Sequence, residues 1–270
     1  VVNTPSSPLY SEIIGFVENV ISAAGYDLML CGAYYDHARE ERLINSLLTR
    51  RVVGLILATG RSSYSRETRA LLKRVPTVLV GKTSSFDGHP LVTTDNFHGG
   101  MIGTRYLLEL GHRNIVFIGK RSVSAAQKCR AEGFTQTCEQ WGVEPRLINN
   151  PNQINSIRSG YELAYQCLTS ENRPTACFAA SDSTAIGTIQ AADQLGIRIP
   201  EDLSVLGFDN TAYASIPRIN LTTIDQPKQM IADQSVEILL KHINEPNNEA
   251  EQRRLIPTLV KRDTCGYYLA

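Results

Sequence analysis

The sequence of 270 residues carries 27 Lys+Arg against 27 Asp+Glu, so its formal net charge is zero. With 42% hydrophobic and 20% charged residues, the composition is that of a globular chain, and a chain of this length buries roughly 75% of its unfolded surface without needing disulfides or metal. Charge neutrality excludes a protein that grips a phosphate backbone or an anionic membrane by overall cationic surplus.

Taken in order, residues 1–10 have neither the basic start nor the apolar run of a signal peptide. A start on Val1-Val2 without Met reads as that of a fragment. Ile13, Ile14, Val17, Val20, Ile21 and Ala24 then fall on one helical stripe, and Leu43, Leu47 and Leu48 on a second. Short, mainly apolar runs, the pattern of strands covered on both faces, occupy 28–31, 53–58, 77–80, 115–118, 176–179, 203–206 and 221–224. The longest of them is a strand's length, far short of the ~20 residues a membrane helix needs. Gly25, Gly111, Gly142 and Gly196 stand where the intervening helices should stop. A last helical period covers 230–243 and a last strand 255–260. The alternation predicts an α/β fold with doubly wound parallel sheets, long enough for two sheets of five or six strands.

Enzyme signatures fail. The sequence contains no G-x-S-x-G, H-E-x-x-H or G-x-G-x-x-G. Gly81-Lys82-Thr83 looks like the end of a phosphate loop, but Pro76 stands where the first glycine is needed, which leaves a strand-to-loop turn. The five histidines share no metal-ligand spacing, and His112, in Gly111-His112-Arg113, reads as a turn or helix-cap residue. Cys31, Cys129, Cys138, Cys167, Cys177 and Cys265 form no C-x-x-C pair and read as reduced, mostly buried thiols. No metal and no cofactor is expected.

Three stretches are more specific. The first is Tyr106-Leu-Leu-Glu-Leu-Gly-His-Arg-Asn-Ile-Val-Phe-Ile-Gly119 with Cys129-Arg-Ala-Glu-Gly-Phe134. The second is Arg173-Pro-Thr-Ala-Cys-Phe-Ala-Ala-Ser-Asp-Ser-Thr-Ala-Ile-Gly187. The third is Gly196-Ile-Arg-Ile-Pro-Glu-Asp-Leu-Ser-Val-Leu-Gly-Phe-Asp-Asn210, continuing through Leu221-Thr-Thr-Ile-Asp-Gln-Pro227. Together with the closing 255–264 they closely resemble the LacI/GalR family of bacterial transcription regulators. The resemblance implies an effector-binding and dimerising core without its N-terminal helix-turn-helix. It further implies two similar lobes, periplasmic-binding-protein-like, joined by three crossover segments near 118–120, 225–227 and 256–258. The lobes would then be 1–119 with 227–256, and 120–226 with 257–270. The implied protein is a cytoplasmic homodimer that binds a small-molecule effector, a sugar, between its lobes. It would meet operator DNA through the missing helix-turn-helix and have no membrane partner. The competing readings are a periplasmic sugar-binding protein of a transporter, which the missing signal peptide disfavours, and an α/β enzyme, for which no catalytic constellation is found.

The same resemblance nominates effector contacts. Arg130 offers a rigid fork of donors suited to a vicinal diol, and Asp209, after a strand, offers acceptors for sugar hydroxyls. Both are expected in a solvent-filled cleft that hydrates them. Ser181 ends a strand and opens a helix, while Asp182 reads as either that helix's N-cap or a contact. Gln226 lies at the second crossing. Leu9 and Tyr10 start the first helix, Tyr10 serving either as contact or as core. Lys82, Ser124 and Asn155 complete the set. Two departures stand out: Gly81 where several members carry a ligand-bonding aspartate, and Asn155 where several place a stacking aromatic.

Overall fold

The computed structural model describes residues 1–61, 63–81, 87–119, 125–148, 156–245 and 251–268. In chain order the first unit contributes α1 (Pro8–Ala23), α2 (His37–Thr49), β1 (Leu55–Leu57), α3 (Arg66–Leu72), β2 (Thr77–Val80) and β3 (Leu91–Thr94). The second contributes α4 (Asn96–Glu109), β4 (Ile115–Ile118), α5 (Ala125–Gln140), β5 (Arg146–Ile148), α6 (Ile157–Leu168), β6 (Ala176–Ala179), α7 (Asp182–Gln194), β7 (Ser204–Asp209) and β8 (Thr222–Asp225). The chain then returns to the first unit as α8 (Lys228–Asn244) and β9 (Gln252–Leu255), and to the second as β10 (Thr258–Val260).

The first unit, Val1–Thr94 with Pro227–Leu255, holds a parallel four-stranded sheet in the order β1-β2-β3-β9. The helical stripe read from the sequence buries Ile13, Val17 and Ile21 of α1 beside Ile231, Val236 and Leu239 of α8, all against Val78, Val80 and Val92 of the sheet. Asp36 and Ser65 accept the first free N–H groups of α2 and α3, which fixes where those helices begin.

The second unit, Asp95–Gln226 with Ile256–Ala270, holds a six-stranded sheet in the order β10-β8-β7-β6-β4-β5. It is parallel except for β10, which runs antiparallel to β8. Phe134, Phe178 and Phe208 are fully buried in its core, with Phe117 meeting Phe178 edge-on at 5.4 Å. Two helix pairs clamp this sheet by the same device. A Cβ on Gly100 would stand 2.2 Å from the Arg130 carbonyl oxygen, and one on Gly133 2.2 Å from that of Phe97, so α4 and α5 meet backbone to backbone. Gly160 and Gly187 do the same for α6 and α7, with would-be Cβ atoms 2.4 and 2.1 Å from the oxygens of Thr184 and Ile157.

The structure corrects the sequence reading in several places. Residues 95–119 belong to the second unit, not the first, because β4 pairs on one side with β5 and on the other with β6. The first crossing is therefore at Thr94-Asp95, and the second and third fall at Gln226-Pro227 and Leu255-Ile256. The expected strand at 255–260 is two strands in different sheets, broken at the third crossing, where Pro257 has no N–H to donate. Residues 28–31 form no strand, since Met29 and Leu30 are half exposed, and a single bridge joins neighbouring Gly32 to Val2. Gly25, Gly111, Gly142 and Gly196 all take left-handed φ values between 66° and 95° at helix ends.

Candidate functional site

In the second unit β4 has β5 on one side and β6 on the other, so the direction of winding reverses there. In open α/β sheets a ligand crevice opens at the carboxyl ends of the strands beside such a reversal. The connections that follow β4, β6 and β7 supply the polar side chains of this end. Arg130 lies in the second turn of α5 and is 5% exposed. Its Nε donates to Asn96 Oδ1 at 2.8 Å, and its Nη1 to the Ala180 carbonyl oxygen at 2.6 Å and to Asp209 Oδ1 at 3.3 Å. Its guanidinium carbon lies 3.6 Å from the centre of the Phe208 ring, close enough for a cation–π contact. Gln226 Nε2 donates to the same Asp209 oxygen at 2.7 Å.

The backbone here is strained. Asp209 has φ 116° and Asn210 φ 50°, left-handed values that cost an L-residue on the order of 1–3 kcal/mol and collect at functional sites. Two networks hold the strained turn. Asn210 Nδ2 donates to Asp225 Oδ1 at 2.7 Å, while Arg262 Nη2 donates to Asn210 Oδ1 at 2.7 Å. Beneath it, Asp182 accepts from the Thr211 amide at 2.6 Å and from the Thr223 hydroxyl at 2.5 Å. Burial, and next the Asp209 carboxylate, push the Asp182 pKa up to about 7.

Of the residues nominated from the sequence, Arg130, Asp209 and Gln226 are thus brought together by direct hydrogen bonds. Ser181 follows Ala180 in the same end of the sheet and is the N-cap of α7, accepting from the Thr184 amide at 3.2 Å. The cap is therefore Ser181, and Asp182 is the first helical residue, with its carboxylate spent on Thr211 and Thr223. Leu9 and Tyr10 lie in the first unit, half buried in the first turn of α1. The Tyr10 hydroxyl stands 3.9 Å from where a Cβ on Gly81 would be, so Tyr10 reaches the carboxyl end of β2. Lys82, Ser124 and Asn155 lie outside the described residues. Asn96 and Phe208 seat the guanidinium without any local sign of it in the sequence. Asn96 follows a helix-capping aspartate and Phe208 sits in an apolar strand, so each reads locally as something else.

Arg130 and Asp209 are buried in contact with each other rather than separately hydrated, which departs from the expectation of a water-filled setting. Among the described residues, no group of three or more His, Cys, Asp and Glu side chains is placed to hold a metal. No described helix is long and apolar enough to cross a membrane.

Residues 104–265 match the family of periplasmic binding protein-like domains. Over 269 residues the chain is 34% identical to the HTH-type transcriptional repressor PurR of Pectobacterium carotovorum, covering 97% of this chain and 78% of that protein. It is 30% identical over 271 residues to the ribose operon repressor of Escherichia coli K12, covering 98% of this chain and 80% of that one. Among solved structures, a LacI family transcriptional regulator from Enterococcus faecium with bound ribose superposes with a TM-score of 0.87. The two share 27% identity, with 99% of this chain and 98% of that one covered.

Proposed function

Because this chain belongs to the LacI/GalR family of transcription regulators, as their effector-binding core, we propose that it binds a sugar of the ribose class through Arg130 and Asp209. The observation that carries this reading is the buried set Arg130–Asp209–Gln226 at the carboxyl ends of β4, β6 and β7. A guanidinium presents a fork of donors and a carboxylate a pair of acceptors, so neighbouring hydroxyls of one ring can satisfy both. Ser181, Gln226, Leu9, Tyr10, Lys82, Ser124 and Asn155 complete the proposed contacts. The bound ribose of the Enterococcus relative supports the ligand class. A cavity of about 440 Å³ in the first unit is the poorer candidate, since Ile13, Val17, Leu28, Leu30, Ile56 and Leu239 give it a largely aliphatic lining that leaves sugar hydroxyls unmatched.

In this reading the protein is cytoplasmic, turns over no substrate, and works as a homodimer on two-fold operator DNA through helix-turn-helix units. Sugar binding alters operator affinity by a coupling of order 1–3 kcal/mol. A thermal-shift screen of the chain against D-ribose and a panel of other sugars tests it. Ligand at 100 times its dissociation constant adds about 2.7 kcal/mol of stability, so a rise in melting temperature with ribose, and none with sugar alcohols, is expected. No shift with any sugar would remove the reading.

A further inference from the structure

Both charged residues of the site are held by neutral amides, and both amides sit where the chain passes between its units. Asn96, whose Oδ1 takes the Arg130 Nε–H, is two residues past Thr94, the last residue of the first unit. Thr94 is still paired in its own sheet, opposite Leu255. Gln226, whose Nε2 donates to Asp209, is the last residue before the second crossing at Pro227. From the geometry we infer, resting on the proposed role of Arg130, that Asn96 is a positioning residue for the effector. It fixes the guanidinium at its Nε edge, as Gln226 fixes the Asp209 carboxylate, so that the charged pair is held ready for a ligand.

The physical case is strongest at Asn96. A guanidinium is planar, so holding Nε and Nη1 while a ring supports its face leaves it little rotational freedom. Asn96 and Ala180 supply the edge contacts and Phe208 the face. Asn96 is itself fixed, as the first residue of a helix whose cap Asp95 accepts the His98 amide at 2.9 Å. That first turn can lie on the site because of two glycines. A Cβ on Gly99 would stand 2.6 Å from the Phe208 ring, and one on Gly100 2.2 Å from the Arg130 carbonyl oxygen.

The test compares the parent chain with Asn96→Ala and Asn96→Asp, using D-ribose as probe. Calorimetric titration reads affinity, and urea denaturation reads stability beside it. The parent should bind. Asn96→Ala should bind at least tenfold more weakly, the loss expected when a charged group loses a hydrogen bond. Asn96→Asp, which restores an acceptor to Nε, should return the affinity to within threefold of the parent, a rescue that a merely structural role would not give. Asn96→Ser, whose hydroxyl stops short of Arg130, replaces the alanine variant if that chain does not fold. An alanine variant that binds within threefold would overturn the inference, however far its stability falls, and would leave the sugar reading intact. A parent that takes up no ribose would overturn the ligand class and the inference with it.

Discussion

Arg130 lays its guanidinium carbon 3.6 Å from the centre of the Phe208 ring, and the residue after that phenylalanine, Asp209, accepts from Arg130 Nη1 at 3.3 Å. One two-residue step of β7 thus presents the arginine with a face and an anion. The arrangement explains why a strand that is apolar along most of its length ends on a strained aspartate. The ring must stay in the core while the carboxylate turns toward the guanidinium.

This geometry sets the first prediction. Truncating Arg130 or Asp209 to Ala should weaken ribose binding roughly 10- to 150-fold, the range for losing hydrogen bonds to a charged group. Because both side chains are under 10% exposed, either truncation also leaves its partner buried without its opposite charge, which destabilises by about 3–5 kcal/mol. Two groups already hydrated in a solvent-filled cleft would change stability much less. Urea denaturation beside calorimetric titration checks both halves. Affinity within threefold of the parent for both variants would move the site elsewhere.

The strands β4 and β6 are legible in the sequence to the residue, because each is apolar at every position and is covered on both faces, and β2 is so because Thr77 alone interrupts its apolar run. β3 is not, since Leu-Val-Thr-Thr reads as half polar although all four residues are buried. The first crossing is hidden for a related reason. Asp95 looks like any capping aspartate, and nothing local tells a helix that stays in its unit from one that opens another. Arg130 and Asp209 are legible only through the family resemblance and belong to no motif that marks them by itself. Asn96 is not legible, because its partner Arg130 lies 34 residues further on and its own place at the start of α4 reads as part of a helix cap.

The backbone contacts of the paired glycines give a second prediction. Gly100→Ala and Gly187→Ala place a Cβ 2.2 and 2.1 Å from carbonyl oxygens that cannot move aside without opening a helix pair. Each should lose at least the ~1–3 kcal/mol typical of overpacking. Gly15→Ala is the control, since nothing lies within 4 Å of its Cβ, and in a helix interior it should gain up to ~1 kcal/mol. Chemical denaturation of the three variants decides the matter. Equal stability for Gly100→Ala and Gly15→Ala would contradict the close packing.

Thiol reactivity provides a third. Burial pushes the pKa of Cys138 and Cys265 up to about 12 and raises those of Cys167 and Cys177. The Cys265 Sγ also donates to the Val205 carbonyl at 3.3 Å. Since the thiolate is the nucleophile, these four should resist an aromatic disulfide reagent at pH 8 in the folded chain. Cys265 is half-buried like Cys31 and Cys129, but its thiol is held protonated, so Cys31 and Cys129 should supply any fast phase. All six cysteines should react in denaturant. More than two rapid equivalents from the native protein would count against the burial described.

The pH dependence of stability gives the last prediction, and two groups pull it in opposite directions. His112 is 2% exposed, with Nδ1 2.9 Å from Thr175 Oγ1 and Nε2 2.9 Å from Ser204 Oγ and 3.1 Å from the Gly266 carbonyl oxygen. It ties the start of β7 to the closing segment of the chain, and burial lowers its pKa. The unfolded chain, with an ordinary histidine near ~6.5, takes up a proton that the native state refuses. The stability His112 contributes is therefore whole above ~6.5 and drains away as pH falls below it, by at most ~1.4 kcal/mol per pH unit. Asp182, raised to about 7, works the other way, because the native state keeps a proton that the unfolded chain has released above ~4. Between pH 5 and 6.5 the two oppose each other, so the parent should look flatter than either group alone would make it. His112→Gln removes one side. The parent's advantage over that variant should be largest at pH 7.5 and shrink steadily toward pH 5, measured by urea denaturation at each pH. A gap that stays constant over this range would mean that His112 takes up its proton as readily in the folded chain as in the unfolded one, and that its burial does not govern its charge.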